Sequence, residues 1–218
     1  MKKIYLLAGI AAIAFFICMD TETAHADLVY DNGPIAGNLG AWEIDDLAGP
    51  TYFISDSFTV SAPVNLTSVT AGLWVSTGDT PTSLEWQIGT VSAGSQIASG
   101  TSSLANTLWG PAGGGNNSFT VYESSFTVTG TLEPETYYLT LEDAQATGNS
   151  SVDWDDNNGP SSELVYFDGH TIAPGSESFQ VYATAVPEPS TATLIIGALI
   201  LLPFGTCTRR IMRKQIKI

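Results

Sequence analysis

Between Asp27 and Val186 the chain contains no lysine, no arginine and no cysteine. Its seven cationic side chains are all terminal: Lys2, Lys3, Arg209, Arg210, Arg213, Lys214 and Lys217. Nineteen of the 22 carboxylates, all but Asp20, Glu22 and Glu188, fall within the cation-free span. No salt bridge to a basic side chain can form there. Nucleic-acid binding loses its basis, because neutralising phosphates requires Lys and Arg. Phosphoryl-transfer chemistry loses its usual clamps for the same reason. The two cysteines, Cys18 and Cys207, lie in apolar terminal segments, so the intervening region has no disulfide, no thiol catalysis and no Cys-ligated zinc. Its acids must be solvated, bonded to backbone N–H or Ser/Thr groups, or paired with metal, and Ca2+ is the cation suited to carboxylate and carbonyl oxygens.

Histidine is nearly as scarce. His170 is the only one beyond His25, and "FDGHTIAPG" reads as a turn with no nucleophile beside it. No Gly-x-Ser-x-Gly elbow is present. A pair of carboxylates can hydrolyse a glycosidic bond, but nineteen acids single out no pair. The region is expected to be non-enzymatic.

Both ends are apolar. Met1-Lys2-Lys3 precedes a nearly unbroken apolar run from Ile4 to Met19, and Ala24-His25-Ala26 places small residues where a signal peptidase reads. Residues 1–26 are therefore expected to be a secretory signal cleaved before Asp27. The run is short for a span of roughly 20 residues. At the other end "AVPEPS" leads into an apolar stretch, residues 191–207, followed by the basic tail 209–218. That stretch meets the lower limit for crossing a bilayer, with Arg209, Arg210, Arg213 and Lys214 holding its end cytoplasmic.

The region between, residues 27–185, suits a single domain. Period-2 alternation recurs in it. Leu84, Trp86 and Ile88 alternate with Glu85 and Gln87. Tyr137, Leu139 and Leu141 alternate with Tyr138, Thr140 and Glu142. Val69, Ala71, Leu73 and Val75 oppose Thr70, Gly72 and Trp74, and Phe179, Val181 and Ala183 oppose Gln180, Tyr182 and Thr184. Such runs mark half-buried strands. Further strands are expected at 52–60, 119–123, 125–129 and 164–167, with Gly/Pro/Asn turns between them. The expected fold is all-β: a two-sheet antiparallel β-sandwich, jelly-roll-like, flanked by the signal peptide and a C-terminal transmembrane sorting helix. "LEPETYYLTL" has the proline turn and early tyrosine of a corner that ties a tyrosine hydroxyl to nearby backbone. "NTLWGPAGGGNNS" reads as an exposed loop.

Two clusters are candidates for binding. In "VDWDDNNGP", Asp153, Asp155 and Asn157 alternate as an EF-hand loop begins, but Asn158 replaces the sixth-position glycine and Leu164 the twelfth-position glutamate. A less regular Ca2+ site completed by Asp156, or by Asp31 and Asn32, is one reading. A turn in which Asp and Asn bond their own backbone is the other. Trp109 and Trp154, in glycine- and acid-rich contexts, are candidate stacking surfaces for sugar rings, and capping aromatics of the sandwich edge are the alternative.

Val186-Pro187-Glu188-Pro189-Ser190, the apolar stretch and Arg209-Arg210 together resemble the PEP-CTERM sorting signal of Gram-negative bacteria. "LPFGT", residues 202–206, has the wrong order for a sortase signal. The resemblance implies signal peptidase cleavage, transient insertion in the inner membrane and processing by an exosortase near Pro187-Glu188-Pro189. It also implies release or display at the cell surface, in association with extracellular polysaccharide and biofilm matrix. "YDNG", "SDSFTV", "GDTPTSLEWQIGT", "YYLTLEDA" and "ESFQVYA" resemble the small exported sandwich domains of the choice-of-anchor type. A non-enzymatic adhesive or structural role is expected, with a carbohydrate-binding module as the alternative and a glycoside hydrolase or lyase after that.

Overall fold

The structure, a computed structural model, describes residues 25–45, 53–113, 118–167, 170–172 and 175–186. The signal segment up to Ala24, the sorting motif from Pro187 onward, the apolar stretch and the basic tail lie outside the described residues. Among the described residues there are fourteen strands, all within the unit Met1–Ala185, and no helix long and apolar enough to cross a membrane. They are β1 (Asp27–Asp31), β2 (Ala41–Glu43), β3 (Phe53–Thr59), β4 (Val64–Ser76), β5 (Pro81–Gly89), β6 (Ala98–Ser103) and β7 (Ala105–Pro111). The rest are β8 (Phe119–Thr127), β9 (Thr131–Leu132), β10 (Thr136–Ala146), β11 (Val152–Asp155), β12 (Glu163–Phe167), β13 (His170–Ile172) and β14 (Phe179–Ala185).

The strands form two antiparallel sheets, a β-sandwich. The larger sheet is organised around β4, the longest strand. Its first part pairs with β14 and its last part with β11, both on the edge opposite β8. Beyond these lie β1 next to β14, β2 next to β11 and β7 next to β8, while β9 pairs the start of β4. The smaller sheet runs β13-β12-β3-β10-β5-β6.

Alternation explains why the sheets meet as they do. Successive side chains of a strand point to opposite faces, so each run read from the sequence offers one apolar row. Val69, Ala71, Leu73 and Val75 of β4 and Phe179, Val181 and Ala183 of β14 are buried against Leu84, Trp86 and Ile88 of β5 and Tyr137, Leu139 and Leu141 of β10. Full burial of each large apolar side chain is worth about 1.5–3 kcal/mol, enough for a core that needs no disulfide. Tyr137 forms the expected corner: its hydroxyl donates to Glu133 O at 3.0 Å and accepts from Glu133 N at 3.1 Å.

Three expectations are corrected. The two strands expected at 119–123 and 125–129 are one strand, β8. Ser124, which lies between the two expected runs, is buried and donates to Asn106 Oδ1 at 2.7 Å, so a polar residue is accommodated on the inward face. Asn106–Pro111, expected in a loop, belong to β7, because pairing with β8 satisfies backbone groups that an exposed edge would leave to water. The acidic stretch, read as an irregular loop or a turn, begins as strand β11, wedged between β4 and β2, and only its later part turns, with Gly159 N donating to Asn157 Oδ1.

Candidate functional site

The site is built on the outward face of the larger sheet, where the connection between β1 and β2 folds back over β4. Two devices pin this connection. Asp155, at the end of β11, accepts Ala36 N at 2.8 Å and Gly37 N at 2.9 Å, along with Trp74 Nε1 at 2.7 Å. Ile35 packs into a second small core of Trp74, Ala112 and Val121. Its approach depends on Gly72, where a Cβ would lie 2.9 Å from Ile35 Cγ1 and 3.0 Å from Asp155 Cβ. The outward phase of β4 is thus smallest where the connection presses closest.

Beside the pinned segment lies a cleft of about 200 Å3. Thr70 of β4 and Gln180 of β14 line it, with Pro34 and Ile35 from the connection, Glu123 from β8 and Trp109 from β7. Trp109 sits at a β-bulge: Leu108 pairs with Tyr122 and Gly110 with Val121, so Trp109 is the extra residue. Bulges redirect side chains, and this indole lies across Gly37, where a Cβ would come within 2.4 Å of Trp109 Cζ3. Nearly half of the Trp109 surface, 46%, stays exposed. Gln180 Oε1 accepts the Tyr182 hydroxyl at 2.8 Å, and Thr70 Oγ1 bonds Ser125 Oγ at 2.9 Å. A second cleft of about 180 Å3 flanks the same connection, between Pro34 and Asn157-Asn158-Gly159.

Under that second cleft is a buried polar cluster centred on Asn32. Its two Nδ2 hydrogens are shared among Ser161 Oγ at 2.6 Å, Ser176 Oγ at 2.8 Å and Glu177 O at 2.5 Å, and Nδ2 lies 3.3 Å from Asp56 Oδ2. Its Oδ1 accepts from Tyr30 Oη and Ser161 N. Asp56 also accepts from Glu177 N, Ser161 Oγ and Ser57 N. Burial nonetheless pushes the Asp56 carboxyl up to about 6, against the pull of these bonds. The stretches "YDNG", "SDSFTV" and "ESFQVYA" therefore meet at one point. Sequence reasoning did not single out Asp56 or Ser161 as members of any cluster.

The acids of the candidate Ca2+ reading do not converge. Asp155 faces N–H groups, and Asn157 bonds Asn32 O, Gly159 N and Ser176 Oγ. Asp156 lies beside Gly40 and Glu177. Asp153 sits with Asp45 and Glu43 at the β2–β11 end; burial and then the Asp45 charge push it up to about 6. Burial and Asp45 likewise push Glu43 up to about 7. Of the other residues named for that reading, Asp31 caps Gly33 N at 2.9 Å and Asn32 centres the buried cluster. Among the described residues no group of three or more His, Cys, Asp or Glu is arranged to hold a metal.

The two candidate tryptophans differ in accessibility. Trp154 has no exposed surface, packs edge-on against Phe179 and donates to Ser178 O at 3.0 Å. It alternates with Asp153 and Asp155 on the inward phase of β11, so a sugar ring has no access to it. Trp109 is the accessible one. Its neighbours Glu123, Gln180 and Thr70 were legible only as outward-phase residues of separate strands. Of the termini, Ala26 and Val186 are described and adjoin β1, at the edge of the larger sheet, and β14, between β1 and β4, whereas Ala24 and Pro187–Ser190 are not. No protein-family model matches the chain, and no curated protein sequence is significantly similar to it.

Proposed function

We propose that this chain is an exported, non-enzymatic protein of the cell surface or extracellular matrix, delivered by exosortase-type sorting. The observation that carries the reading is the arrangement of the termini around a cation-free domain. A signal-type segment ends at Ala24-His25-Ala26, and Val186-Pro187-Glu188-Pro189-Ser190 leads into an apolar stretch and the basic tail. On this reading signal peptidase removes residues 1–26, the stretch 191–207 holds the chain in the inner membrane in transit, and processing at the sorting motif frees or displays a jelly-roll-like sandwich. The host is a Gram-negative bacterium, and extracellular polysaccharide is the surrounding material.

The chemistry of the domain supports a structural or adhesive role. Asn32, Asp56, Asp155 and Asn157 hold connections in place through backbone and hydroxyl groups. Hydrolysis of a glycosidic bond needs two carboxylates within several ångströms across the scissile bond, and the larger cleft is lined by one, Glu123. That cleft, with its exposed indole, is the specific observation favouring carbohydrate binding as a second property of the same domain.

The test is expression of the full chain in a Gram-negative host with and without its exosortase, followed by mass spectrometry of the C-terminus. Loss of the apolar stretch and basic tail only when the exosortase is present is the expected result. Retention of Ile218 in both strains, with the protein left in the inner membrane, would overturn the reading.

A further inference from the structure

We infer that the cleft beside Trp109 is a subsite for one uncharged hexopyranose unit of a polysaccharide. The inference rests on the carbohydrate-binding reading of that cleft and narrows its ligand, and it is tested independently of the delivery route.

The lining matches the two-sided chemistry of a sugar ring. A pyranose presents a face of axial C–H groups and a rim of hydroxyls. The indole face carries the negative pole of the aromatic quadrupole, which suits polarised C–H groups, and Trp109 leaves 46% of its surface to solvent. It is held rather than loose, because the ring lies across Gly37 and its backbone forms the bulge against β8. Gly37 is in turn fixed by Asp155 and by donation from Gly113 N to its carbonyl at 2.6 Å. A preformed stacking surface carries little ordering cost on binding. Pro34 and Ile35 extend the apolar part of the lining.

The rim groups complement hydroxyls. Glu123 is exposed on the outward phase of β8 and accepts only, and hydroxyl bonds to an ionised carboxylate are roughly twice as strong as neutral ones. Gln180 has its oxygen engaged by Tyr182 and offers two N–H donors. Thr70 adds a hydroxyl that can donate or accept. Donor and acceptor therefore flank one aromatic face.

Size and charge narrow the ligand. At about 200 Å3 the cleft is below the roughly 300–1,000 Å3 of pockets for drug-sized ligands, which suits one ring of a chain that continues into solvent. A uronic or sulfated sugar would meet Glu123 with no Lys or Arg anywhere between Asp27 and Val186 to offset it. An aminated polymer would be drawn to the whole acidic surface and has no special reason to choose this cleft. An uncharged hexopyranose fits the lining without either conflict.

The test uses the full chain purified in a polyoxyethylene detergent, which carries no sugar headgroup to compete. Native gels containing dextran, galactomannan or laminarin are compared with gels containing alginate. At least one uncharged polysaccharide is expected to retard the protein, with no retardation by alginate. Trp109→Ala should weaken the retardation at least tenfold, Trp109→Tyr less, and Glu123→Ala several-fold. Should Trp109→Ala melt early, the exposed Glu123→Ala and the ring-preserving Trp109→Tyr variants decide the matter. Absence of retardation by all three uncharged polymers overturns the inference. So does retardation unchanged in Trp109→Ala or Glu123→Ala, or preferential binding of alginate. None of these outcomes alters the C-terminal mass that tests sorting.

Discussion

The indole nitrogen of Trp74 donates to Asp155 Oδ1 at 2.7 Å, diagonally across the β4–β11 pair on the outward face of the larger sheet. The same carboxylate receives the backbone N–H groups of Ala36 and Gly37. One acid thereby joins two strands to the segment that walls the Trp109 cleft. With no lysine or arginine in the domain, N–H dipoles take the place such a side chain would fill elsewhere.

Asp155→Ala strands three N–H donors at once. Each buried donor left unsatisfied costs about 1–3 kcal/mol, so a loss of about 3–5 kcal/mol is expected in urea unfolding followed by tryptophan fluorescence. Asp155→Asn, which keeps one acceptor oxygen, should lose less. A loss below about 1 kcal/mol for the alanine variant would show that the connection is held by other contacts.

Asn32→Asp places a second carboxylate 3.3 Å from Asp56 Oδ2 with no cation to separate them. It also removes the two N–H groups shared among Ser161, Ser176 and Glu177. The variant should melt well below the parent at pH 8, and the gap should narrow at pH 5 as one acid protonates. Asn32→Ala loses the same bonds without the charge, so its gap should depend much less on pH. Equal pH dependence for the two variants would refute the charge argument.

The parent protein should itself be more stable in mild acid. Burial holds the carboxyl groups of Asp56, Asp153 and Asp156 up at about 6 and that of Glu43 at about 7, above their values in the unfolded chain. Between about pH 4 and 7 the folded state therefore binds more protons than the unfolded state, and stability falls as pH rises. The stabilisation is fully present below the unfolded values and is lost through the folded ones. A Tm at pH 5 higher than that at pH 8 by about 5 °C or more is expected in scanning calorimetry. A flat or opposite profile would mean that these acids are ionised in the fold.

Tyr137→Phe deletes both hydrogen bonds to Glu133 while keeping the ring, which packs beside Phe58. Two ordinary hydrogen bonds set the expected cost at about 1–2 kcal/mol by chemical denaturation. An unchanged midpoint would reduce the corner to packing alone.

Gly159 and Gly78 separate crowding from backbone strain. A Cβ at Gly159 would come within 2.1 Å of Asn32 O and 2.7 Å of Ser176 Oγ, whereas at Gly78, with φ of 102°, nothing lies within 4 Å. Gly159→Ala should cost near the top of the roughly 1–3 kcal/mol range for overpacking. Gly78→Ala should cost about 1–2 kcal/mol from conformation alone. A reversed order of melting temperatures would contradict the packing around Asn32.

The strand faces were legible because alternation is local. Val69, Leu73, Phe179 and Leu139 are inward in the fold as their sequence phase requires, and Tyr137 makes the corner bond that its proline turn announced. The phase of Trp154 was equally readable, since Val152 and Trp154 alternate with two aspartates; the acidic composition of the stretch masked it. The length of β8 was not readable, because Ser124 is tolerated inward only through Asn106, eighteen residues away.

By itself, then, the sequence determined an all-β domain with no lysine, no arginine and no thiol, and which residues of each strand share a face. Those properties follow from composition and from a two-residue period. Only the tertiary structure decided which strands are neighbours. That pairing brings Asn32 to Glu177 across 145 positions and to Asp56 across 24. It also sets Trp109 beside Glu123 and Gln180. The reason is physical: period-2 chemistry specifies a face but carries no information about the partner strand. The partner is selected by the joint burial of rows distant in sequence and by the bonding of acids that have nowhere else to find a donor.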